Sequence, residues 1–465
     1  MFHCPPNRGK PRARIHTRVY QLPELRFEDE RLTSFSGLVI LQALFHKLRM
    51  QERLGDCFAH LSKGLVVGLP TVSLLLIVHL MLGYRRLRDL DYYREDPLVA
   101  RTLGLRRLPH VSTVCRALAR TDRQGVANLQ ELNRTLVLDR IEGEILPRVT
   151  LDFDGSVISS SRYAEGLAVG YNSKRKGQRS YYPLLCSVAQ SAQVLDVLHR
   201  PGNVHDSNGA AGFMQRCIDA VQSKVRHAVL ESRMDSAFFS DEIVTLLDES
   251  GVQFTVSLPF ERFPRLKAII EGRQRWKTLD AEWDYFEITW APNSWPVTDR
   301  VLLLRHRVRL QDKEPIQLDL FRPYQQGYEF KAVLTNKVGS AKSILLFHNG
   351  RGSQENIFSE LKRQCQMDYV PSRRLSGNQM YFLSAVLAHN LYRELQMRAQ
   401  APNRYPTARR AALWIFTEAA TLRGHLIHRA GRLTRPHGRL RLTLGGNEAT
   451  RDEYLQHLRA LKRPA

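Results

Sequence analysis

"RVTLDFDGSVISS", Arg148 to Ser160, is the stretch on which the fold turns. Apolar and polar residues alternate through it, so Val149, Leu151 and Phe153 face one way and Thr150, Asp152 and Asp154 the other. That period predicts a strand with one face in a core and two carboxylates on the other. Next come "SYYPLLCSVAQ" and "AQVLDVLHRPGN", which read as two more strands around a short turn. "SNGAAGFMQRCIDAVQSK" reads as a helix, "HAVLESRMDSAF" as a strand ending near Asp235, "SDEIVTLLDES" as a helix closed by Gly251, and "VQFTVSLP" as another strand. Three meandering strands followed by helix, strand, helix and strand predict an α/β fold on a mixed sheet.

Working outward towards the N-terminus, residues 1 to about 30 are basic, and from Leu38 to about Arg140 the pattern is helical. "FSGLVILQALFHKLRMQERLG" predicts one amphipathic helix, and "PTVSLLLIVHLMLGYRRLRDLDYY" a second that ends in a basic cluster. "RTLGLRRLPHVSTVCRALARTD" reads as helix, turn, helix, broken at Pro109, with Ser112 or Thr113 as cap. Arg116 and Arg120 fall on one face of the second helix and are expected to contact DNA, although any helical hairpin in a basic protein would show this pattern. On the other side, from about Phe260 to Asn336, lie four of the five tryptophans: Trp276, Trp283, Trp290 and Trp295. "YFEITWAPN", "RVLLLRHRVRL", "IQLDLF" and "YEFKAVLTN" predict strands of an inserted sheet. After Asn390 the pattern is basic helix.

The charge balance narrows the partner. Of 465 residues, 69 are Lys or Arg against 46 Asp or Glu, a net charge of +23, which favours a polyanion. A membrane is disfavoured, because the longest apolar run, Val72 to Tyr84, is too short to span and is interrupted by His79. "MFHCPPNRGKPRARIHTR" has no apolar core and does not read as a secretory signal. Six cysteines without a CxxC pairing argue against a zinc site or a disulfide framework, and predict reduced, individually buried thiols in a cytoplasm. The 16 histidines are scattered and include no HExxH, which argues against a zinc hydrolase.

"HNGRGSQENIFSELK", His348 to Lys362, carries the third candidate acid. Read as one helix, Glu355 lies about 40° and Lys362 about 20° around the axis from Arg351, an anion flanked by cations. Ordinary helix ion pairs would look the same. The rest of the chain supplies a reason for more. A mixed sheet in the order above sets the ends of its first and fourth strands side by side, bringing Asp154 towards Asp235, and a flanking helix can lean Glu355 across them. Three carboxylates there would hold two hard cations such as magnesium, and two such ions roughly 4 Å apart serve phosphodiester displacement. Arg351 and Lys362 would then clamp phosphates. Asp152 could replace Asp154 as ligand, but Asp154 stands before Gly-Ser at the strand end. Asp206 reads as a cap for the helix near Asn208, Glu360 as exposed or in a salt bridge, and Arg233 as a phosphate contact or a local counter-charge.

These blocks together resemble a DDE transposase of a bacterial insertion sequence. The group signature of Tyr, Arg, Glu and Lys falls on His348, Arg351, Glu355 and Lys362 with every spacing intact and His in place of Tyr. "LDFDGS" and "RMDSAFF" resemble the first and second Asp blocks, Ser156 standing where Thr is commoner. "GYNSKRKGQRSYYPLL", "LHRPGN" and "LRDLDYYREDPLVARTLGL" resemble the insertion-sequence family thirteen-eighty, within the family-four superfamily. The resemblance covers roughly residues 35 to 400. It implies a ribonuclease-H-like α/β core at 146–395 with a β-strand insertion at about 260–336. A helical, basic end-recognition region at 1–145 and a basic helical tail at 396–465 complete the expected organisation. Asp154, Asp235 and Glu355 become the expected catalytic and metal-binding acids, for two magnesium ions that manganese can replace. His348, Arg351, Lys362, Arg116 and Arg120 become the expected DNA contacts. The implied partners are double-stranded DNA, both terminal inverted repeats and target, and a second copy in a paired-end homodimer. A bacterial cytoplasm, with binding to the nucleoid, is the implied location. In related members a flipped base stacks on tryptophan in the insertion; the four tryptophans here read as core or as that platform. An inactive, transposase-derived DNA-binding protein and a two-metal nuclease share much of this pattern.

Overall fold

A computed structural model describes residues 22–61, 67–170, 172, 175–295, 299–307, 328–404 and 413–462. The first amphipathic pattern forms two helices, α1 (Leu38–Lys47) and α2 (Met50–Cys57), where one was expected. Arg49 breaks the run with a φ of 53°, in the left-handed region that interrupts helical hydrogen bonding. Helix α3 (Leu69–Met81) is buried continuously from Val72 to Met81, including Ser73 and His79, as a helix apolar on all faces must be. α4 (Pro97–Thr102), α5 (Val111–Arg120) and α6 (Arg123–Gly143) follow. The cap of α5 is the His110 ring, which accepts from the Ser112 amide; neither Ser112 nor Thr113 fills that role.

The alternation at Arg148 becomes strand β1 (Arg148–Gly155), with Val149, Leu151 and Phe153 in the core. Strands β2 (Leu184–Val188) and β3 (Gln193–Leu198) return antiparallel beside it. Helix α7 (Ala210–Lys224) crosses to β4 (Val229–Met234), which pairs parallel with β1, and α8 (Asp241–Glu249) crosses to β5 (Gln253–Ser257), parallel to β4. The parallel pairs need these helical crossovers, and helix α9 (Pro264–Glu271) then leads into the insertion.

The insertion strands are β6 (Lys277–Thr278), β7 (Trp283–Trp290), β8 (Asp299–Arg307) and β9 (Tyr328–Thr335). They continue the core sheet rather than forming a separate one, because β9 pairs with the open edge of β5. One nine-stranded mixed sheet results, in the order β6-β7-β8-β9-β5-β4-β1-β2-β3. The expected strand "IQLDLF" lies outside the described residues. Helices α10 (Ala341–Asn349) and α11 (Ser353–Arg363) follow, then α12 (Leu375–Ala399).

Helix α12 ties the helical region to the sheet. Its Tyr392 hydroxyl donates to the Met81 carbonyl of α3, Glu394 pairs with Arg140 of α6 at 2.6 Å, and Asn390 bonds both Asn133 of α6 and Val194 of β3. The C-terminal region departs from the expected all-helical tail. Strands Gly431–Thr434 and Arg441–Leu444 form a three-stranded antiparallel sheet with Leu32–Thr33, ahead of helix α13 (Glu448–Lys462). Leu442 and Leu444 alternate with polar residues there, a two-residue period set among arginines. Of the described cysteines, Cys57, Cys186, Cys217 and Cys365 are buried free thiols, whereas Cys115 is exposed. No helix among the described residues is long and apolar enough to cross a membrane.

Candidate active site

Parallel pairing of β1 with β4 sets Asp152 opposite Arg233. Two positions further along each chain stand Asp154 and Asp235, so the register delivers both carboxylates to neighbouring strand ends. Asp154 accepts from the Gly155 amide at 2.8 Å, and Asp235 from Ala237 at 3.0 Å, opening a short 3₁₀ turn. Burial, and then the charge of Asp235, push the Asp154 carboxyl up to about 7, while Arg351 opposes the rise. Burial also raises Asp235, against the Ala237 amide and Arg351. The Arg351 guanidinium stands 3.9 Å from the Asp235 carboxylate.

Arg351 lies in a run that stays helical from Ala341 to Arg363. A short 3₁₀ turn, Gly350–Gly352, joins α10 to α11, with right-handed helical φ/ψ at Asn349, Gly350, Gly352 and Ser353. Gly350 is required there: a Cβ would stand 2.0 Å from a guanidinium nitrogen of Arg233. That guanidinium is itself fixed, with Nε and Nη2 donating to Asp152 at 2.7 and 2.5 Å and Nη1 donating to the Phe347 carbonyl at 3.2 Å. Asp152 and Arg233 are both buried, so they form an internal ion pair, and Arg233 acts as a counter-charge.

Glu355 is exposed on the first turn of α11. Its buried neighbour Gln354 donates to the Asp152 carbonyl at 2.9 Å, pinning the start of that helix to β1. The structure brings together Asp154, Asp235 and Arg351; Glu355 is not drawn into that group. Among the described residues no three His, Cys, Asp or Glu side chains converge closely enough to hold a metal ion. The donor chemistry nevertheless fits a divalent cation. Two half-buried carboxylates at adjacent strand ends are hard oxygen donors, and a cation would relieve their repulsion. Lys362 is half-buried on the last turn of α11, and Arg116 and Arg120 are exposed on α5.

His348 is only 2% exposed, and its ring nitrogens meet Thr255 Oγ1 at 3.0 Å and Ser257 Oγ at 2.9 Å. Its side chain joins α10 to β5 and has no open edge for a phosphate, in place of the contact expected of it. Glu360 is buried in an ion pair with Arg393, the salt-bridge alternative. The tryptophans are half-buried against aromatic partners: Trp276 on Phe286, Trp283 on His306, Trp290 on Phe263 and Trp295 on Phe239, with centroids 4.7 to 5.1 Å apart.

Of two further neighbours of the site, the sequence reading gave Asp206 a different role and passed over Lys331. Asp206 does not cap α7, whose N-cap is Gly209 without a side-chain bond. Its carboxylate instead adds to the negative field on Asp154 and Asp235. Arg200 holds that loop by donating to the carbonyls of His205, Asp206 and Asn208, and a Cβ on Gly155 would stand 2.6 Å from Asp206 Oδ1. Lys331, a lone cation in the apolar run of β9, donates to Asn349 at 2.7 Å; burial and Arg351 lower it to about 8. Its charged position among strand residues was the available signal.

A family model described as transposase DDE domain group 1 matches residues 20–465. No curated protein matches the chain. Among solved structures, the cryo-EM structure of a piggyBac transposase synaptic complex with hairpin DNA is 9% identical, covering 77% of this chain and 74% of that one, with a TM-score of 0.38.

Proposed function

The chain belongs to the transposase DDE domain group 1 family, and on that premise we propose that it is an insertion-sequence transposase that binds terminal inverted repeats and cuts and joins their DNA. The observation that carries this reading is the register that sets Asp154 and Asp235 at adjacent strand ends with Arg351 against them. Asp154 and Asp235 would hold divalent cations, magnesium by preference, and Glu355, which stands outside their group in this structure, is proposed to join them when the cations are bound. Such a site supplies activation of an attacking oxygen and stabilisation of the leaving one. Arg351 is loosely paired at 3.9 Å from Asp235, so its guanidinium can take a phosphate oxygen of the strand being cut. Lys362 extends that contact along α11. The helical region before residue 146, with Arg116 and Arg120 exposed on α5, is the proposed end-recognition surface. The net charge of +23 supports its attraction to duplex DNA.

The test is single-turnover cleavage and strand transfer on repeat-end duplexes taken from the DNA flanking the coding region. Asp154→Asn, Asp235→Asn and Glu355→Gln should each abolish cleavage while retaining end binding. Near wild-type cleavage by any of the three would remove that residue from the assignment. A wild-type chain that binds ends without cutting them would be a DNA-binding derivative, and one that cuts without joining would be a nuclease.

A further inference from the structure

Residues 22–28 run without regular secondary structure ahead of the short strand Leu32–Thr33, and they carry three large apolar side chains in water. Leu22 is 92%, Leu25 75% and Phe27 95% exposed. A single exposed leucine needs no explanation, but three such side chains in six residues mark a surface that expects a cover. The arm belongs to the family's domain, because the family match begins at residue 20.

The C-terminal lobe offers a matching surface. A groove of about 510 Å³ is lined by Val39, Leu442, Leu444, Tyr454, Leu455 and Leu458. Its floor is the strand Arg441–Leu444, whose one described partner is Gly431–Thr434, leaving its other edge open for pairing. Leu442 and Leu444 face the groove, while Arg441 and Thr443 are exposed. The arm has the same period: Leu25 and Phe27 share one face of an extended chain, and Glu24, Arg26 and Glu28 the other. Added as a strand, it would set Leu25 and Phe27 beside Leu442 and Leu444, with a glutamate able to face Arg441.

Within one chain the arm does not enter the groove: Leu22, Leu25 and Phe27 are exposed and none of them lines it. The arm leaves the opposite edge of the three-stranded sheet, where the Asp29 carboxylate pairs with Arg432 at 2.8 Å and the Asp29 carbonyl accepts from the Leu32 amide. We propose that the arm of one copy adds to the edge strand Arg441–Leu444 of a second copy, with Leu25 and Phe27 entering its groove. Reciprocal exchange closes a two-fold dimer, because each copy offers one arm and one groove. The transposase reading supplies only the need for two copies at paired ends; the assay below contains no DNA, so its outcome is independent of whether the chain cuts.

Full-length chain is measured by sedimentation equilibrium across protein concentration. The double variant Leu25→Glu, Phe27→Glu should raise the dimer dissociation constant at least tenfold without affecting the fold, since both residues are exposed in the single chain. Leu444→Glu should do the same from the groove side. Mixing the arm variant with the groove variant should restore association, because one intact arm then meets one intact groove. For a direct readout, Phe27→Cys and Leu444→Cys chains, each with Cys4 and Cys115 replaced by Ser, are mixed under mild oxidation. A disulfide joining the two species supports the exchange. Absence of that cross-link, or an unchanged dissociation constant for the arm variant, overturns it.

Discussion

Asp152 and Asp154 leave the same face of one strand and differ in what they meet. Asp152 is enclosed with Arg233 in a two-bond ion pair, so Asp152→Asn leaves a guanidinium buried without its counter-charge. The expected cost is about 3–5 kcal/mol of stability, measured by denaturant unfolding. Asp154→Asn removes a charge that burial and Asp235 already disfavour, and its unfolding free energy should match or exceed that of the wild type. The two substitutions thus separate a structural acid from the one proposed to react. Arg351→Gln belongs to the reactive side. Its pairing with Asp235 at 3.9 Å is partly exposed and contributes at most about 1 kcal/mol to folding. A lost contact to phosphate in the transition state is worth roughly 1.5–3 kcal/mol, so cleavage should slow about ten- to a hundredfold with the melting temperature unchanged. An unchanged single-turnover rate would return Arg351 to an electrostatic neighbour of Asp235.

At the scale of elements, the decisive feature is the 3₁₀ turn between α10 and α11. Two anchors hold it: Gln354 on the Asp152 carbonyl and His348 between Thr255 and Ser257 of β5. Spacing placed Arg351, Glu355 and Lys362 on one helix face; in the structure Glu355 and Lys362 lie on α11, and Arg351, in the 3₁₀ turn before it, stands 3.9 Å from Asp235. Tyrosine is the commoner residue at position 348 in the signature, yet His348→Tyr should not be neutral here. The larger ring must enter a buried site and lacks the two ring nitrogens that meet Thr255 and Ser257, for a cost of about 1–3 kcal/mol. Thermal unfolding of the variant checks this, and an unchanged midpoint would mean the pocket relaxes around the larger ring.

Over the whole molecule, burial of histidines ties stability to pH. Burial pushes His79 and His199 down to about 4 and His389 to about 3, from an ordinary 6.5. Below pH 6.5 the unfolded chain takes up protons that the folded chain refuses, so stability falls as pH falls, by up to about 1.4 kcal/mol per histidine per pH unit. Asp154, raised to about 7, takes up a proton on folding over the same window and offsets part of this loss. Urea unfolding at pH 7 and 5.5 should show the net loss, and His389→Gln should flatten it; an unchanged slope in His389→Gln would place that ring in water. None of this was visible in a list of 16 scattered histidines. What the sequence determined by itself was periodic or additive. The alternation at Arg148 specified a strand, its place before helix–strand–helix–strand specified which ends would meet, the apolar run at Val72 specified a core helix, and the net charge of +23 favoured a polyanion. What only the tertiary structure decided was pairing between distant positions. Asp152 and Arg233 are 81 residues apart, Gln354 and Asp152 are 202 apart, and the insertion joins the core sheet through β9 on β5. Such contacts choose which carboxylate is neutralised, which histidine is enclosed and where Arg351 points, and a local period cannot encode them because each depends on the packing of elements that are remote along the chain.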